Sequence, residues 1–173
     1  MEKWKIMPYD ERTRTGLIRH VMTRYGAATG QLMTVLVVTG KTLPGEEELA
    51  ASLMQIPGMT GVVLNVNPDY TNVILGASER VLAGTGYIED VIGPVTFRIS
   101  PRSFYQVNPE QMERLYDKAA EYAGLKGGET VLDLYCGAGT IGLWLLEDLR
   151  KRDTEAFENT KVIGIESVKP AVL

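Results

Sequence analysis

The sequence predicts an α/β chain built in two parts. A small α+β region with an antiparallel sheet fills residues 1–100, and the opening of a doubly wound α/β domain fills residues 101–173. Three observations carry this expectation. Short apolar runs bounded by turn residues dominate the first hundred positions, as in an antiparallel sheet. After Pro101 comes a well-capped helix, followed by two continuous apolar runs of the kind that have both sheet faces covered. Between those runs lie a glycine-rich turn and a helix, so the order is strand, loop, helix, strand.

Each element follows from its residues. "GLIRHVMTR" and "GQLMTVLVV" read as two strands joined through "YGAAT", a hairpin. "LPGEEELAASLMQI" opens on Pro-Gly, carries three glutamates in its first turn and spaces its apolar residues near 3.6, so it is a helix. "TGVVLNVN" is a strand and "PDYTN" a turn. "TNVILG", "ERVLAGTGYIEDVIG" and "PVTFRIS" supply further short strands. In "NPEQMERLYDKAAEYAGLKGGE", Asn108 suits the N-cap and Pro109 the first helical position. Gln111 completes a capping box there. Met112, Leu115, Ala119 and Tyr122 are read as the shared apolar face, and Gly124 as the stop. "ETVLDLY", "TIGLWLLEDL" and "KVIGIE" then read as strand, helix and strand.

Composition narrows the function classes. A hydrophobic share of 45% supports a packed core. With 22 acidic and 18 basic residues the net charge is −4, so whole-chain charge gives no support for nucleic-acid binding, although a local patch fits within that total. The single cysteine, Cys136, allows no internal disulfide and no multi-cysteine metal site, which fits a reducing, cytoplasmic setting. No signal peptide is apparent at the start, and no run reaches the roughly 18 apolar residues of a membrane helix.

The stretch "VLDLYCGAGTIGL" carries the chemistry. Gly137, Gly139 and Gly142 fit G-x-G-x-x-G between a strand and a helix, and Glu166 closes the next strand. Glycines let a ligand approach the backbone, and a carboxylate at the strand end accepts hydrogen bonds from ribose hydroxyls. That geometry serves a dinucleotide or S-adenosylmethionine equally well. A Walker loop is excluded, because no Gly-Lys-Ser/Thr ending follows. The plainer alternative is a tight turn with no ligand.

The neighbouring residues separate these readings by resemblance. Asp133 lies just ahead of the glycines, as in methyltransferase motif I. "SFYQVNPEQMERLY" followed by "VLDLYCGAGTIGL" resembles the RNA (uracil-5-)-methyltransferase family, which acts on uridines of 23S ribosomal RNA or transfer RNA. "GLIRHVMTR", "TNVILG" and "FRISPRSFYQVN" resemble that family's central region, so the likeness spans nearly the whole chain. It implies that 101–173 begins a Rossmann-like class I methyltransferase domain that uses S-adenosylmethionine. By the same likeness, Gln106 contacts the methyl donor, Tyr135 lies beside the adenosine, Gly137 and Gly139 shape the loop, and Glu166 binds the ribose. Phe104 matches an aromatic that stacks on a flipped-out uracil.

The resemblance also implies that the nucleophilic cysteine and the general base lie in later motifs, which this chain does not reach. No residue here is therefore assigned a catalytic role, and the chain alone is expected to be inactive. Cys136 sits in the cofactor loop and is read as packing. The cysteines that hold an iron–sulfur cluster in many members are not present here. Arg12, Arg14, Arg19 and Arg24 make the first quarter locally basic, so Arg19 and Arg24 are expected to face RNA. The two strands flanking the glycine loop are expected to leave an apolar edge for self-association. The alternatives are a related methyltransferase with another substrate, and a non-catalytic RNA-binding module.

Overall fold

A computed structural model describes residues 2–105 and 108–167 of the 173-residue chain. Two compact units are present, Met1–Asp90 with Arg98–Arg102, and Val91–Phe97 with Ser103–Leu173.

The first unit is built on a four-stranded sheet in the order β1-β2-β3-β4, formed by Ile18–Tyr25, Leu32–Val38, Met59–Val66 and Ser78–Gly84. The outer pairs β1·β2 and β3·β4 are antiparallel, as expected. The central pair β2·β3 is parallel, so the sheet is mixed. The cause is helix α1 (Glu46–Leu53), which carries the chain back to the same end of the sheet, as a parallel pairing requires. Leu36 and Val38 of β2, Val62 and Leu64 of β3 and Ala50 of α1 share one buried cluster with Ile6, Ile18 and Leu43. The central strands are buried along nearly their whole length, and the alternating exposure of β1 marks it as an edge.

The expected strand "TNVILG" does not form. Asn67, fully buried after β3, donates from its side chain to the carbonyls of Val73 and Ile74 at 2.8 and 3.0 Å. Those carbonyls are then unavailable to a ladder, and the segment turns inward as an irregular loop. Strands β5 (Ile88–Ile92) and β6 (Val95–Ile99) pair across the Gly93-Pro94 turn. In the middle of β5 the buried Asp90 accepts from the amides of Ala27 and Ala28, both at 2.9 Å, and so fixes the β1–β2 turn.

The second unit packs α2 (Pro109–Ala123) and α3 (Thr140–Arg152) beside the parallel pair β7 (Thr130–Leu134) and β8 (Lys161–Ile165). The Asn108 N-cap and the Gly124 stop of α2 form as read: Asn108 accepts from the Gln111 amide at 3.1 Å, and Gly124 ends the helix in a left-handed conformation. The buried face differs from the expected one. Met112, Tyr116 and Ala120 are inside, while Leu115 and Tyr122 are 57% and 80% exposed. Positions four apart keep one line along the helix. That line packs Met112 and Tyr116 with Ile92 and Phe97, and Ala120 with Leu145 and Leu149. The long connection after α3 is ordered by Asp153, whose side chain accepts from the Ala156 amide at 3.0 Å and starts helix α4 (Thr154–Asn159).

Strands β7 and β8 are not covered on both faces among the described residues. Val131 packs into the helical cluster, whereas Leu132, Leu134, Ile163 and Ile165 are each about half exposed or more. No helix among the described residues is long and apolar enough to cross a membrane.

Candidate functional site

The site is the loop from β7 to α3, and three glycines shape it in two different ways. Tyr135, Gly137 and Gly139 all adopt positive φ, at 59°, 56° and 75°. For Tyr135 this is an unusual backbone state for a side chain to hold, and such residues gather at functional turns. A Cβ placed on Gly137 would meet nothing within 4 Å, so the space above that turn is open. Gly142 is different. A Cβ there would lie 2.7 Å from Val162 and 3.1 Å from the Asp133 carboxylate, so glycine is what lets α3 approach the strands.

The loop is tied down at both ends. Asp133 accepts from the Gly142 amide at 3.1 Å, which pins the first turn of α3 to β7. The Cys136 amide donates to the Ile165 carbonyl at 3.2 Å, and the Gly139 amide closes the turn onto the Cys136 carbonyl at 2.8 Å. Sequence reasoning missed a further tether, because its partners are far apart in the chain. Tyr116, buried on α2, shares a 2.9 Å hydrogen bond with the Thr140 hydroxyl where α3 begins. The N-cap of α3 is Gly139, which supplies no side-chain cap. The first turn of that helix is met instead by the Asp133 carboxylate, which offsets part of its positive end.

Glu166 reaches the same place from β8. The register pairs Thr130 with Lys161 and Leu134 with Ile165, so Glu166 follows directly beside the loop. Its Oε2 accepts from the Gly137 amide at 3.0 Å. The arrangement joins a carboxylate, an open glycine turn and a helix N-terminus, which together suit a ligand carrying vicinal hydroxyls and an anionic or polar end. Tyr135 stands at the loop entrance, 89% exposed. Phe104 is 83% exposed on the segment that leads into α2. Gln106 lies outside the described residues.

Cys136 is seated against the strand. A Cβ on Gly164 would come within 2.8 Å of its sulfur, so the bare backbone of Gly164 makes room for the thiol. Burial pushes the Cys136 thiol above its ordinary range, and the charges of Asp133 and Glu166 add to that shift. A thiol held protonated in this way is a poor nucleophile at neutral pH. Among the described residues, no cluster of three His, Cys, Asp or Glu side chains is arranged to hold a metal.

The two arginines expected to face RNA are bound within the first unit. The Arg19 side chain is only 1% exposed. Its guanidinium donates to the carbonyls of Asp69 at 2.7 Å, Thr71 at 3.1 Å and Asn67 at 3.2 Å, and it pairs with Glu11 at 3.3 Å. Arg19 thus braces a loop from inside, which corrects the expectation of a phosphate contact. Arg24 is half-buried and donates to the Pro101 carbonyl at 2.9 Å, and burial lowers its pKa from the ordinary arginine value. Its charge is directed at the 98–102 segment and only partly at solvent.

No family model matches the chain. Two proteins named as uncharacterized RNA methyltransferases are close in sequence. The one from Halalkalibacterium halodurans is 46% identical over 177 residues, covering 96% of this chain and 39% of that protein. The one from Bacillus cereus strain ATCC 10987 is 45% identical over 172 residues, covering 99% of this chain and 35% of that protein. The chain therefore spans less than two fifths of the length of these relatives. Among solved structures it is similar to the Pyrococcus abyssi tRNA (uracil-54, C5)-methyltransferase in complex with S-adenosyl-L-homocysteine. That likeness has a TM-score of 0.76 at 27% identity and covers 99% of this chain and 38% of the other.

Proposed function

From a chain that belongs to a family of RNA methyltransferases, we propose a part of an enzyme that methylates C5 of a uridine in ribosomal or transfer RNA. Residues 1–100 are its central, RNA-facing region, and 101–173 begin the domain that binds S-adenosylmethionine. One observation carries the reading: the Glu166 carboxylate and the open Gly137 turn meet at the amide of Gly137, at the end of β8. The structural neighbour's bound S-adenosyl-L-homocysteine supports the same assignment.

The residues then divide the work. Bound S-adenosylmethionine supplies an electrophilic methyl group. Glu166 accepts hydrogen bonds from the ribose hydroxyls while keeping the loop amide in place. Tyr135 covers the adenosine, and Gln106 holds the methionine end through its amide. Asp133 keeps the α3 N-terminus in register with the strands. Phe104, exposed ahead of α2, offers a stacking face to an extruded uracil. Thiolate addition at C6 and proton removal at C5 fall to residues other than Cys136, whose thiol is seated on Gly164 and held protonated. The apolar face of β7 and β8 is the surface through which the chain would self-associate. A cytoplasmic setting goes with this reading.

The test is methyl transfer. The complete protein, incubated with methyl-labelled S-adenosylmethionine and unmodified ribosomal or transfer RNA, should place label in 5-methyluridine after digestion to nucleosides. Cys136→Ala should leave the rate within about twofold, and the 173-residue chain alone should transfer nothing above a boiled control. Label in another nucleoside points to a methyltransferase of different specificity. RNA binding with no label points to a binding module.

A further inference from the structure

The loop between β3 and β4, residues 67–77, is held from within. It runs for eleven positions without regular structure, longer than the median connection of about 4–6 residues. This one has an interior scaffold. Asn65 and Asn67 are fully buried. Asn67 donates to the carbonyls of Val73 and Ile74, and Asn65 exchanges hydrogen bonds with Gly76, accepting from its amide at 2.7 Å. Arg19 covers the carbonyls of Asn67, Asp69 and Thr71, and Arg102 donates to that of Gly76. Buried amides and guanidinium groups are costly to place unless they are hydrogen-bonded. Here, apart from the unpartnered Nε of Arg19, their bonds fix one conformation of a surface loop.

That scaffold turns apolar side chains outward. Tyr70, Val73 and Ile74 are 70%, 58% and 48% exposed. The guanidinium of Arg14 stacks 3.9 Å above the Tyr70 ring. Beside them is an open cleft of about 610 Å³ lined by Glu11, Tyr70, Thr71 and Asn72. An aromatic ring under a guanidinium, next to an exposed amide and a hydroxyl, is the composition of a platform for an unpaired base. Duplex RNA offers no free base face to such a ring. The charges nearby, Arg12 and Arg14 against Asp10, Glu11 and Asp69, nearly cancel. Recognition here is therefore by stacking, with little phosphate attraction.

We propose that the 67–77 loop is a second RNA contact, where Tyr70 and Arg14 take an unpaired nucleobase of the substrate other than the one that is methylated. This inference rests on the reading of the chain as part of an RNA methyltransferase. The test is fluorescence anisotropy of the complete protein with labelled oligouridylate and with duplex RNA of the same length, over a salt series. Tyr70→Ala should weaken oligouridylate binding roughly 5- to 100-fold. It should leave duplex binding, the salt slope and S-adenosylhomocysteine affinity unchanged, and Tyr70→Phe should stay within about threefold of wild type. The proposal is overturned if Tyr70→Ala binds oligouridylate like wild type, if wild type does not bind it, or if single-strand and duplex binding fall together. In each case methyl transfer to 5-methyluridine would still uphold the functional reading, whereas its absence would remove that reading separately.

Discussion

Arg19→Ala is expected to destabilise the first unit by about 2–4 kcal/mol, without changing how RNA binding responds to salt. The side chain is 1% exposed, and its guanidinium serves three carbonyls, those of Asn67, Asp69 and Thr71, and the Glu11 carboxylate. Removing it leaves acceptors uncovered at the base of the loop, each costing on the order of 1–3 kcal/mol if it stays dry. Water entering from the loop's outer side recovers part of that loss, which sets the lower bound. The exposed Glu11 pair adds little, because solvent screens it. Arg19→Lys should fall between, since one ammonium cannot span three carbonyls. Urea unfolding followed through Trp4, with Trp144 replaced by phenylalanine, reports on this unit. A loss below about 0.5 kcal/mol together with a flatter salt slope would return Arg19 to the RNA-facing set.

Gly142→Leu should cost a net 1–3 kcal/mol in the second unit and abolish methyl-donor binding. Two effects compete. Leucine is the better helix former by roughly 0.8 kcal/mol. Against that, the first atom of any side chain at 142 would meet Val162 at 2.7 Å and the Asp133 carboxylate at 3.1 Å. Valine is stiff at χ1 and sits on β8, so relief requires α3 to move away from the strands. That motion breaks the bond from the Gly142 amide to Asp133 and opens the loop above it. Thermal unfolding and S-adenosylhomocysteine titration check the two parts. A variant more stable than wild type would show that helix propensity outweighs the close approach.

What the sequence disclosed was mostly local. Asn108, Pro109, Gln111 and Gly124 delimit α2 because caps act within a turn of the residue that makes them. The glycine loop and its closing acid were legible for the same reason: strand, turn, helix and acid follow in order along the chain. Arg19 was not legible. An arginine on a strand beside histidine looks solvated, and the carbonyls that bury it come from 48 to 52 residues away. The α2 face was misplaced because Leu115 and Tyr122 are as apolar as Met112 and Tyr116, and only the packing of α3 and Ile92 decides between them. The parallel β2·β3 pairing had a usable signal in the helix "LPGEEELAASLMQI" between the strands, since a crossover helix returns the chain for a parallel partner. "TNVILG" has strand-like residues, and it is the buried amide of Asn67 that turns it into a loop.

Glu166 and the Gly137 turn are proposed to hold the ribose of the methyl donor, and calorimetric titration of the complete protein with S-adenosylhomocysteine is the test. Wild type should bind, and Glu166→Ala should lose about 1–3 kcal/mol through the missing charge-assisted hydrogen bonds. Glu166→Gln, which keeps one acceptor oxygen beside the Gly137 amide, should lose less than the alanine variant. Wild-type affinity in Glu166→Ala would contradict the account, because the carboxylate at the end of β8 would then stand outside the site.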